Sequence, residues 1–335
     1  MFQRWDTTEV GYKRAMCYSA QITASYKKYV CEFGAKLSVH DFFDLFWARR
    51  GENNIQIPKG LEAEFSAPQT KPELAIKQEI ERYRKQQEAT YTDELAAQRA
   101  RLEEAERKLQ NRVTKAAQES QRIALKKIDW TVAKLADLNR EDPLRQDTRI
   151  FPGSYVPVMV MDNGERVIKP MRYRCRPQGK PAFNDVKFPG TYNARMDSLG
   201  EYWKGLFGYT HGVVVFDSFY EVVSRHRMEC RALAPAEKEE KVVLEFTPRP
   251  PQDLLVACLW SRWTGTNVPD LLSFAAITDE PLTEVAAAGH DRTIVTIKPA
   301  NIEAWLNPDP NNLEAQYAIL DDRVRPVYQY RIVDR

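Results

Sequence analysis

The stretch VPVMVMDNGERVI, residues 156–168, places Asn163-Gly164 between two apolar runs. This dipeptide between alternating apolar residues is the strongest short-range signal for a β-hairpin, because both turn positions need a positive φ. Further strands are predicted downstream at residues 212–216, 219–223, 241–246, 254–260, 272–277 and 293–297, with short helices at 283–288 and 301–306. Together these patterns predict an α+β domain built around a dominant, mostly antiparallel sheet.

A helical segment precedes this sheet. Residues 71–139 are rich in Glu, Gln, Lys, Arg and Ala, and contain no Gly or Pro from residue 73 to residue 139. Apolar positions recur every seven residues and two more partly fill a second seam: Leu95, Leu102, Leu109, Ala116 and Ile123, then Ala105 and Val113. This spacing predicts a long helix or a helical hairpin with a coiled-coil-like seam, which Asp142-Pro143 ends. A shorter helix is predicted upstream at residues 39–47.

Composition limits the function classes. The 335 residues, 43% of them hydrophobic and 11% aromatic, suffice for one large folded domain or two ordinary ones. No apolar run of about 18 residues is present, and residues 1–14 lack the apolar core of a secretory signal. We therefore expect a cytoplasmic protein (nucleoid-associated if bacterial) with no membrane partner. The net charge of +2 is too small to indicate a nucleic-acid partner, so such a partner must be argued from local clustering.

The cysteines and histidines argue against a metal centre. The five cysteines are widely spread and include no C-x-x-C pair, which fits a reducing compartment and not a disulfide framework. The four histidines have no short ligand spacing, and there is no Gly-rich phosphate loop. We therefore expect neither a metal nor a cofactor.

A basic stretch overlaps the second half of the predicted hairpin. Its cations are opposed only by Asp185 and lie within 22 residues: Arg166, Lys169, Arg172, Arg174, Arg176, Lys180 and Lys187. Tyr173, Phe183 and Phe188 are interleaved with them. Cations for phosphates and aromatic faces for bases are what a surface for single-stranded nucleic acid needs. The alternative is an ordinary solvated hairpin, and the basic stretch alone does not separate the two.

Four side chains that are far apart in the sequence could carry nucleophilic or acid–base chemistry: Cys17, Asn193, Glu221 and His290. Taken singly, each is more often structural, since a lone cysteine is commonly a small buried apolar group. Their contexts are more informative when taken in chain order. The segments concerned are Met16-Cys17, Phe151-Pro152-Gly153, Asn193-Ala194-Arg195, Phe219-Tyr220-Glu221, residues 257–260 (ACLW), residues 273–278 (SFAAIT) and His290-Asp291-Arg292.

These segments, in this order, resemble the SRAP-domain family, which is named for SOS-response-associated peptidase and includes abasic-site sensors. The resemblance covers residues 16–45 and 149–335 and leaves out the helical segment. It implies an SRAP-like fold with a barrel-like core, short helices and a long helical insertion. We accordingly expect an N-terminal extension over residues 1–15, a catalytic and DNA-binding domain over residues 16–70 and 140–335, and a helical insertion over residues 71–139.

The resemblance implies covalent capture of abasic sites in single-stranded DNA. An N-terminal cysteine offers an α-amine that forms a Schiff base with the sugar aldehyde, and a thiol that closes a thiazolidine ring. His290 would assist opening of the sugar ring, Glu221 would shuttle protons, and Asn193 would hold the adduct. Cations would grip phosphates beside the lesion: Arg195, Arg292, Arg172, Arg174, Arg176 and Lys180.

The start of the chain departs from the family pattern. The family's cysteine follows the initiator methionine, whereas Cys17 follows sixteen residues, and while these remain its nitrogen is an amide. Three explanations stay open: translation from Met16, proteolytic removal of the leading residues, or loss of crosslinking. Tyr18 and Ser19 stand where the family commonly has Gly-Arg, which removes one phosphate contact, and Val222 stands where a Trp is common.

Three functions therefore remain open from the sequence. The first is covalent abasic-site capture by a single-turnover SRAP-type enzyme. The second is a thiol peptidase or amidohydrolase with Cys17 as nucleophile and His290 as base. The third is a noncovalent module that binds single-stranded DNA. In each case the helical insertion would serve as a spacer, recruit a protein partner or mediate self-association.

Overall fold

The computed structural model describes residues 19–22, 25–51, 55–265 and 268–333. The chain divides into two compact units. Of the described residues, the sheet unit comprises those from 19 to 38, from 56 to 61 and from 148 to 333. The helical unit comprises residues 39–55 and 62–147. Cys17, the nucleophile that the sequence predicts, lies outside the described residues.

The strands that the structure describes are connected into one sheet system. They are β1 (Ser19–Ile22), β2 (Lys36–Leu37), β3 (Arg149–Ile150), β4 (Tyr155–Asp162), β5 (Glu165–Tyr173), β6 (Asn193–Arg195), β7 (His211–Ser224), β8 (Lys241–Arg249), β9 (Leu254–Gly265), β10 (Val268–Asp279), β11 (Thr293–Ile294) and β12 (Val327–Val333). The helices are α1 (Tyr26–Phe33), α2 (Val39–Ala48), α3 (Lys59–Ala63), α4 (Lys71–Asn111), α5 (Lys115–Leu138), α6 (Asn184–Lys187), α7 (Arg225–Met228), α8 (Thr283–Ala287), α9 (Ile302–Leu306) and α10 (Leu313–Asp321).

Five of the strands close into a ring. Strand β4 pairs with β5, β5 with β10, β10 with β9, β9 with β7, and β7 returns to β4. Every pairing in this ring is antiparallel except β5 with β10. Closure leaves these strands without a free edge, and the α+β fold with a mostly antiparallel, barrel-like core is confirmed.

The hairpin predicted around Asn163-Gly164 joins β4 to β5. Asp162 pairs with Glu165 at its tip, and the two turn residues between them have φ of 50° and 79°. Two consecutive positive φ values are those of a type I′ turn, whose twist matches that of the flanking strands. The turn chemistry therefore fixes the register of the first pair in the ring.

Alternate residues of the ring strands fill its interior. Val156, Val158 and Val160 of β4 are fully buried and pack with side chains of β5, β7, β9 and β10, namely Met171, Tyr173, Val214, Phe216, Val256, Cys258, Phe274 and Ala276. Side chains two residues apart on a strand point to the same face, which is why these alternate residues share one cluster. The residues between them on β4 and β7, such as Met159 and Val213, are buried on the other face. The buried apolar surface is the main stabilising contribution to the sheet unit.

The helical unit is built on α2, α4 and α5. Thr70 caps α4 by accepting a hydrogen bond from the Glu73 amide, and Thr114 caps α5 by accepting one from the Ala117 amide. Residues 112–114 thus form the turn of a helical hairpin. The predicted short helix at residues 39–47 is confirmed as α2, and α2 contacts α4.

The predicted seven-residue seam was wrong in some of its members, although Ala105 is buried as expected. Between α4 and α5 the buried apolar and hydroxyl side chains are small: Ala105, Ala117, Ala124 and Thr131. Residues 117, 124 and 131 keep a spacing of seven, but Ala116 is exposed and Val113, in the turn, is 69% exposed. The turn interrupts the repeat that the sequence suggested, and small side chains let the two helix backbones approach closely. None of the described helices is long and apolar enough to cross a membrane.

Candidate active site

Glu221 and His290 form a buried pair at the end of β7. Glu221 Oε2 lies 2.9 Å from His290 Nε2, and their side chains are 4% and 15% exposed. The other ring nitrogen, Nδ1, lies 3.1 Å from the carbonyl oxygen of Arg292. Because a carbonyl oxygen accepts hydrogen bonds and does not donate them, Nδ1 carries a proton and Nε2 faces the carboxyl group. One proton is therefore shared between Nε2 and Glu221.

The turn that carries His290 follows α8. Gly289 has a φ of 90°, and a Cβ atom there would lie 2.9 Å from Cβ of Arg227, so only glycine fits without strain. The amide of His290 donates to the carbonyl oxygen of Val285 at 3.2 Å. The backbone thus holds the imidazole against Glu221 independently of the side-chain contact.

The environment moves both pKa values toward neutral pH or above it. Burial raises the pKa of Glu221 to about 7, against the opposing hydrogen bond and charge of His290 and the charge of Arg292. Burial alone would lower the pKa of His290, but the hydrogen bond and charge of Glu221 outweigh it, so this pKa lies above its ordinary value. The pair titrates as a unit, and a proton donor and acceptor poised near pH 7 suits general acid–base catalysis.

Asn193 lies on β6, which pairs in parallel with β10 beside the ring; its Cα faces that of Ala276. Its Oδ1 is buried and has no hydrogen-bond partner among the described residues. The same is true of Glu221 Oε1. The preceding residue, Tyr192, packs edge-on against Tyr173 at 5.9 Å between ring centroids. An unsatisfied buried polar atom costs about 1–3 kcal/mol, so both oxygens are suited to accept hydrogen bonds from a bound group.

Strand β1 begins beside this pair. It lies between β3 and β7, and Ser19 faces Tyr220, the residue before Glu221. The Tyr220 hydroxyl lies 2.9 Å from Gln21 Oε1 and 3.0 Å from Glu245 Oε1, and Arg331 binds the second oxygen of Glu245 at 2.6 Å. These contacts join four strands, β1, β7, β8 and β12. Sequence reasoning missed them because no short motif connects residues 21, 220, 245 and 331.

Arg149 also holds the start of β1. Its Nη2 donates to Ser19 Oγ at 3.1 Å, and its guanidinium group lies over the rings of Tyr220 and Phe151, 4.0 Å and 5.1 Å from their centroids. A cation stacked on aromatic faces is favourable and fixes the side chain. No local pattern predicts this contact, since Ser19 and Arg149 are 130 residues apart.

The predicted phosphate-binding cations are mostly engaged with carboxylates. Asp185 binds both Arg172, at 2.9 Å, and Arg176, at 2.5 Å. Arg195 lies 3.1 Å from Asp197, and Arg292 Nε lies 3.0 Å from Asp291. Of the remaining two, Arg174 is half-buried, and burial lowers its pKa, while Lys180 is exposed. Asp185, the one acidic residue of the basic stretch, therefore pairs with two of its arginines, which a simple count of charges does not reveal.

The aromatic residues of the basic stretch divide into two groups. Phe183 and Phe188 flank α6 and are 63% and 44% exposed, and Lys187 Nζ lies 5.3 Å from the centroid of the Phe188 ring. Tyr173 is fully buried and stacks on Phe274 at 5.2 Å between ring centroids. Its inclusion among base-stacking candidates was wrong, because its place on β5 points it into the ring.

Two of the other described cysteines and one of the other histidines are buried in the core, whereas Cys31 and Cys230 are exposed. Cys175 and Cys258 are buried, and burial raises the pKa of both thiols. His211 stacks on Trp305 at 3.9 Å between centroids, and burial lowers its pKa to about 3. Within the described ranges no group of three His, Cys, Asp or Glu side chains is arranged to hold a metal ion.

Comparison with known proteins yields one family match. A family model described as SOS response associated peptidase (SRAP) matches residues 99–333, more than two thirds of the chain. A search of curated proteins finds no match.

Three solved structures are distantly similar. One is a protein from Bacteroides thetaiotaomicron, with 11% identity over 56% of this chain and 78% of that chain and a TM-score of 0.43. Another, from Bordetella bronchiseptica, has 17% identity over 59% and 90% and a TM-score of 0.43. The third, a phage-related protein from Bordetella bronchiseptica, has 18% identity over 61% and 89% and a TM-score of 0.42. Likenesses this distant say nothing about function.

The matched range starts inside α4, so the resemblance inferred for residues 16–45 lies outside it. It does contain Asn193, Glu221 and His290, each in the sequence context that suggested the family. The match extends over the ring of strands and the buried acid–base pair. The chain belongs to the SRAP family.

Proposed function

We propose that this SRAP protein captures abasic sites in single-stranded DNA by a covalent bond through Cys17, as part of a DNA-damage response. The observation that carries the proposal is the buried Glu221–His290 pair, whose carboxyl pKa is raised to about 7. Forming an imine near neutral pH needs a group that both gives and takes a proton, and a carboxyl group in this state does so.

The reaction balances without a cofactor. The closed sugar opens when its hydroxyl group loses a proton and the ring oxygen gains one, which leaves an aldehyde. The α-amine of Cys17 adds to the aldehyde carbon, and loss of one water gives an imine. The thiol sulfur then adds to the imine carbon while the nitrogen takes a proton, which closes the thiazolidine. An α-amine has a reference pKa near ~8, so a useful fraction is neutral at pH 7.

The contacts of the pair support distinct roles for its members. The carbonyl oxygen of Arg292 fixes the tautomer of His290, so Nε2 exchanges its proton with Glu221. In this proposal His290 assists ring opening and Glu221 moves protons to and from the amine and the carbinolamine. Asn193 Oδ1 and Glu221 Oε1, the two buried acceptors, hold the adduct by hydrogen bonds.

The position of β1 supports the choice of nucleophile. Cys17 precedes Ser19 by two residues, and two extended residues span at most about 7 Å. Ser19 faces Tyr220, next to Glu221. A chain that began at Cys17 would therefore carry its free amine within reach of the acid–base pair.

The cations support a DNA partner in two ways. Arg195, Arg292 and exposed Lys180 are proposed to bind phosphates, the two arginines by exchanging an exposed aspartate for a phosphate oxygen. Arg172, Arg174 and Arg176 are proposed to add positive potential, and Arg172 and Arg176 to shape the α6 region through Asp185. The exposed rings of Phe183 and Phe188 offer faces on which bases stack.

The test uses protein that begins at Cys17, mixed with single-stranded DNA containing one abasic site and run on a denaturing gel. We expect an adduct that survives SDS. Cys31→Ser, which removes another exposed cysteine, should leave the adduct intact, whereas Cys17→Ser should abolish it. If the Cys17-first protein forms no adduct but binds DNA in a salt-sensitive manner, the noncovalent function replaces the covalent one.

A second candidate activity is removal of the residues ahead of Cys17, which the peptidase in the family's description favours. The thiol of Cys17 would attack the carbonyl carbon of Met16, and the Cys17 nitrogen would leave with a proton, which gives a thioester. Water would then hydrolyse the thioester, releasing residues 1–16 as a carboxylic acid and restoring the thiol, with Glu221 and His290 transferring the protons. Intact mass of freshly made full-length protein tests this. Loss of residues 1–16 in wild type but not in Glu221→Gln supports self-cleavage, and an intact wild-type chain refutes it.

A further inference from the structure

Strand β1 has two faces of different character. Ala20 and Ile22 pack in the apolar cluster of the sheet unit. Ser19 and Gln21 alternate with them along the strand and are polar, yet both are buried. Because buried polar side chains are hydrogen-bonded in stable proteins, the neighbouring strands must supply partners on this second face.

The partners come from β7, β8 and β12. On β7 the Tyr220 hydroxyl lies 2.9 Å from Gln21 Oε1 and 3.0 Å from Glu245 Oε1 on β8. Ser218 Oγ donates to the same Glu245 oxygen at 2.9 Å. Arg331 on β12 donates to the other oxygen, Oε2, from Nε at 2.7 Å and from Nη2 at 2.6 Å. A continuous set of polar contacts therefore runs from β1 to β12.

Glu245 is the fixed part of this set. Its side chain is fully buried, and a buried carboxylate is costly unless it is paired and hydrogen-bonded. Both of its oxygens are engaged, one by hydroxyl groups and one by the guanidinium group of Arg331. The Tyr220 hydroxyl is therefore held against β8 on one side and contacts Gln21 of β1 on the other.

The backbone of β1 alone fixes its position only weakly. The strand has four residues, and its pairing with β7 shifts register between Gln21 and Ile22. Because each backbone hydrogen bond contributes little net stability, a ladder this short leaves much of the fixing to side chains. Tyr220 makes a second contact of this kind, since its ring lies 4.0 Å from the guanidinium group of Arg149, which donates to Ser19 Oγ at 3.1 Å.

The position of β1 bears on the reaction, because Cys17 precedes Ser19 by two residues. We propose that Tyr220 is a positioning residue, whose hydroxyl group sets where β1, and with it the amine of Cys17, lies relative to Glu221 and His290. The inference rests on the proposed function, since it takes residue 17 as the nucleophile. Tyr220 itself touches no reacting atom. Its effect comes from alignment, and a misplacement of about 1 Å can slow a reaction by about 10²-fold.

The experiment measures single-turnover crosslinking by Cys17-first protein over a range of concentrations of abasic single-stranded DNA. Tyr220→Phe removes the hydroxyl group and keeps the ring beneath Arg149. We expect the rate constant at saturating DNA to fall by about 10- to 100-fold, with the half-saturating DNA concentration and the final amount of adduct unchanged. A partly unfolded variant would instead lower the final amount. Tyr330→Phe, the same change at an exposed tyrosine of β12, is the matched control and should react at the wild-type rate.

A double-mutant cycle tests whether the hydroxyl group acts through β1. Gln21→Met removes the β1 partner and should also slow the reaction, whereas Gln329→Met, at an exposed glutamine of β12, should not. If the two residues act through their shared contact, Tyr220→Phe combined with Gln21→Met is no slower than Gln21→Met alone. Fold-changes that multiply would mean that the two residues act independently, which overturns the proposal.

Hydrogen exchange without DNA tests the position of β1 directly. Amides of residues 19–22 should exchange faster in Tyr220→Phe than in wild type or Tyr330→Phe, while those of the β4–β5 hairpin should not change. A slow Tyr220→Phe protein whose β1 exchanges as in wild type overturns the proposal. If wild type forms adduct and Tyr220→Phe is as fast as Tyr330→Phe, the positioning role alone is refuted. If wild type forms no adduct, the proposed function falls, and this role falls with it.

Discussion

Glu221 Oε2 and His290 Nε2 lie 2.9 Å apart, with Nδ1 of the same imidazole held by the carbonyl oxygen of Arg292. The carboxyl group is almost fully buried, and its second oxygen has no partner among the described residues. A surface carboxylate would be ionised and solvated at neutral pH, and here burial opposes ionisation. The chemistry proposed for this protein depends on a carboxyl group that can hold a proton near neutral pH, which a surface carboxylate cannot do.

Replacing the carboxyl group tests its role in proton transfer. Glu221→Gln keeps the size of the side chain but cannot exchange a proton, so we expect the single-turnover rate of crosslinking to fall by about 10²–10³-fold. Noncovalent affinity for intact single-stranded DNA should be unchanged. Glu240→Gln, an exposed carboxylate paired with Arg225, is the control and should crosslink at the wild-type rate. A Glu221→Gln protein as fast as this control would remove Glu221 from the mechanism.

The raised pKa of Glu221 also predicts how stability depends on pH. Burial raises this pKa from 4.5 to about 7, so the folded state holds a proton that the unfolded state releases between these values. The protonated carboxyl group therefore makes its full contribution to the free energy of unfolding below pH 4.5, and this contribution is lost as the pH rises to 7. The pKa of His290 is also raised, and its contribution is lost in the same direction as the pH rises further.

Glu221→Gln cannot titrate at this position, so wild type should lose stability relative to the variant as the pH rises from 4.5 to 7. The difference in the free energy of unfolding between the two proteins should change by at most about 3 kcal/mol over this range. Urea unfolding of both proteins at the two pH values measures the change. Equal differences at both values would mean that folding does not raise the pKa of this carboxyl group.

Lys180 tests the DNA surface outside the acid–base pair. It is exposed, and each phosphate contact to a single strand contributes about 0.7 to the slope of log affinity against log salt. Lys180→Ala should reduce this slope by about that amount. Lys36→Ala is matched, because Lys36 is an exposed lysine of the sheet unit that is already paired with Glu165, and its loss should leave the slope unchanged. Equal slopes in all three proteins would place Lys180 outside the DNA contact.

The small-residue seam of the helical hairpin predicts a packing effect. Ala124 is fully buried between α4 and α5, so Ala124→Leu forces the helices apart and should cost about 1–3 kcal/mol of stability. Lys126→Leu places the same side chain at an exposed position two residues away and should cost little. Thermal unfolding followed by helical circular dichroism compares them. A stable Ala124→Leu protein would contradict the close approach of the helices.

Local patterns predicted the parts of the fold that local chemistry decides. Asn163-Gly164 specified the hairpin because both residues adopt positive φ at little cost. The short apolar stretches at residues 254–260 and 272–277 predicted β9 and β10, although both strands extend beyond those limits. The absence of Gly and Pro predicted the helical stretch. The seven-residue pattern did not show that this stretch is two helices, the second of which begins after its capping residue Thr114.

Contacts between residues far apart in the chain could not be predicted from local sequence patterns. Strand β12 pairs with β8 along its whole length, and α1 and α10 are ordinary short helices, yet none of the three was predicted. The Arg149–Ser19 contact depends on three strands meeting, which no local pattern reveals. For the site, the resemblance identified Glu221 and His290, and the structure supplied their direct contact.

The central claim is that the amine and the sulfur of residue 17 both bond to the sugar carbon. It is tested most directly by mass spectrometry of the adduct between Cys17-first protein and an abasic oligonucleotide. The proposal predicts the sum of the two masses less one water, located on residue 17, with a sulfur that no longer reacts with a thiol-alkylating reagent. An adduct whose Cys17 thiol is still alkylated, or one located on another residue, would contradict it.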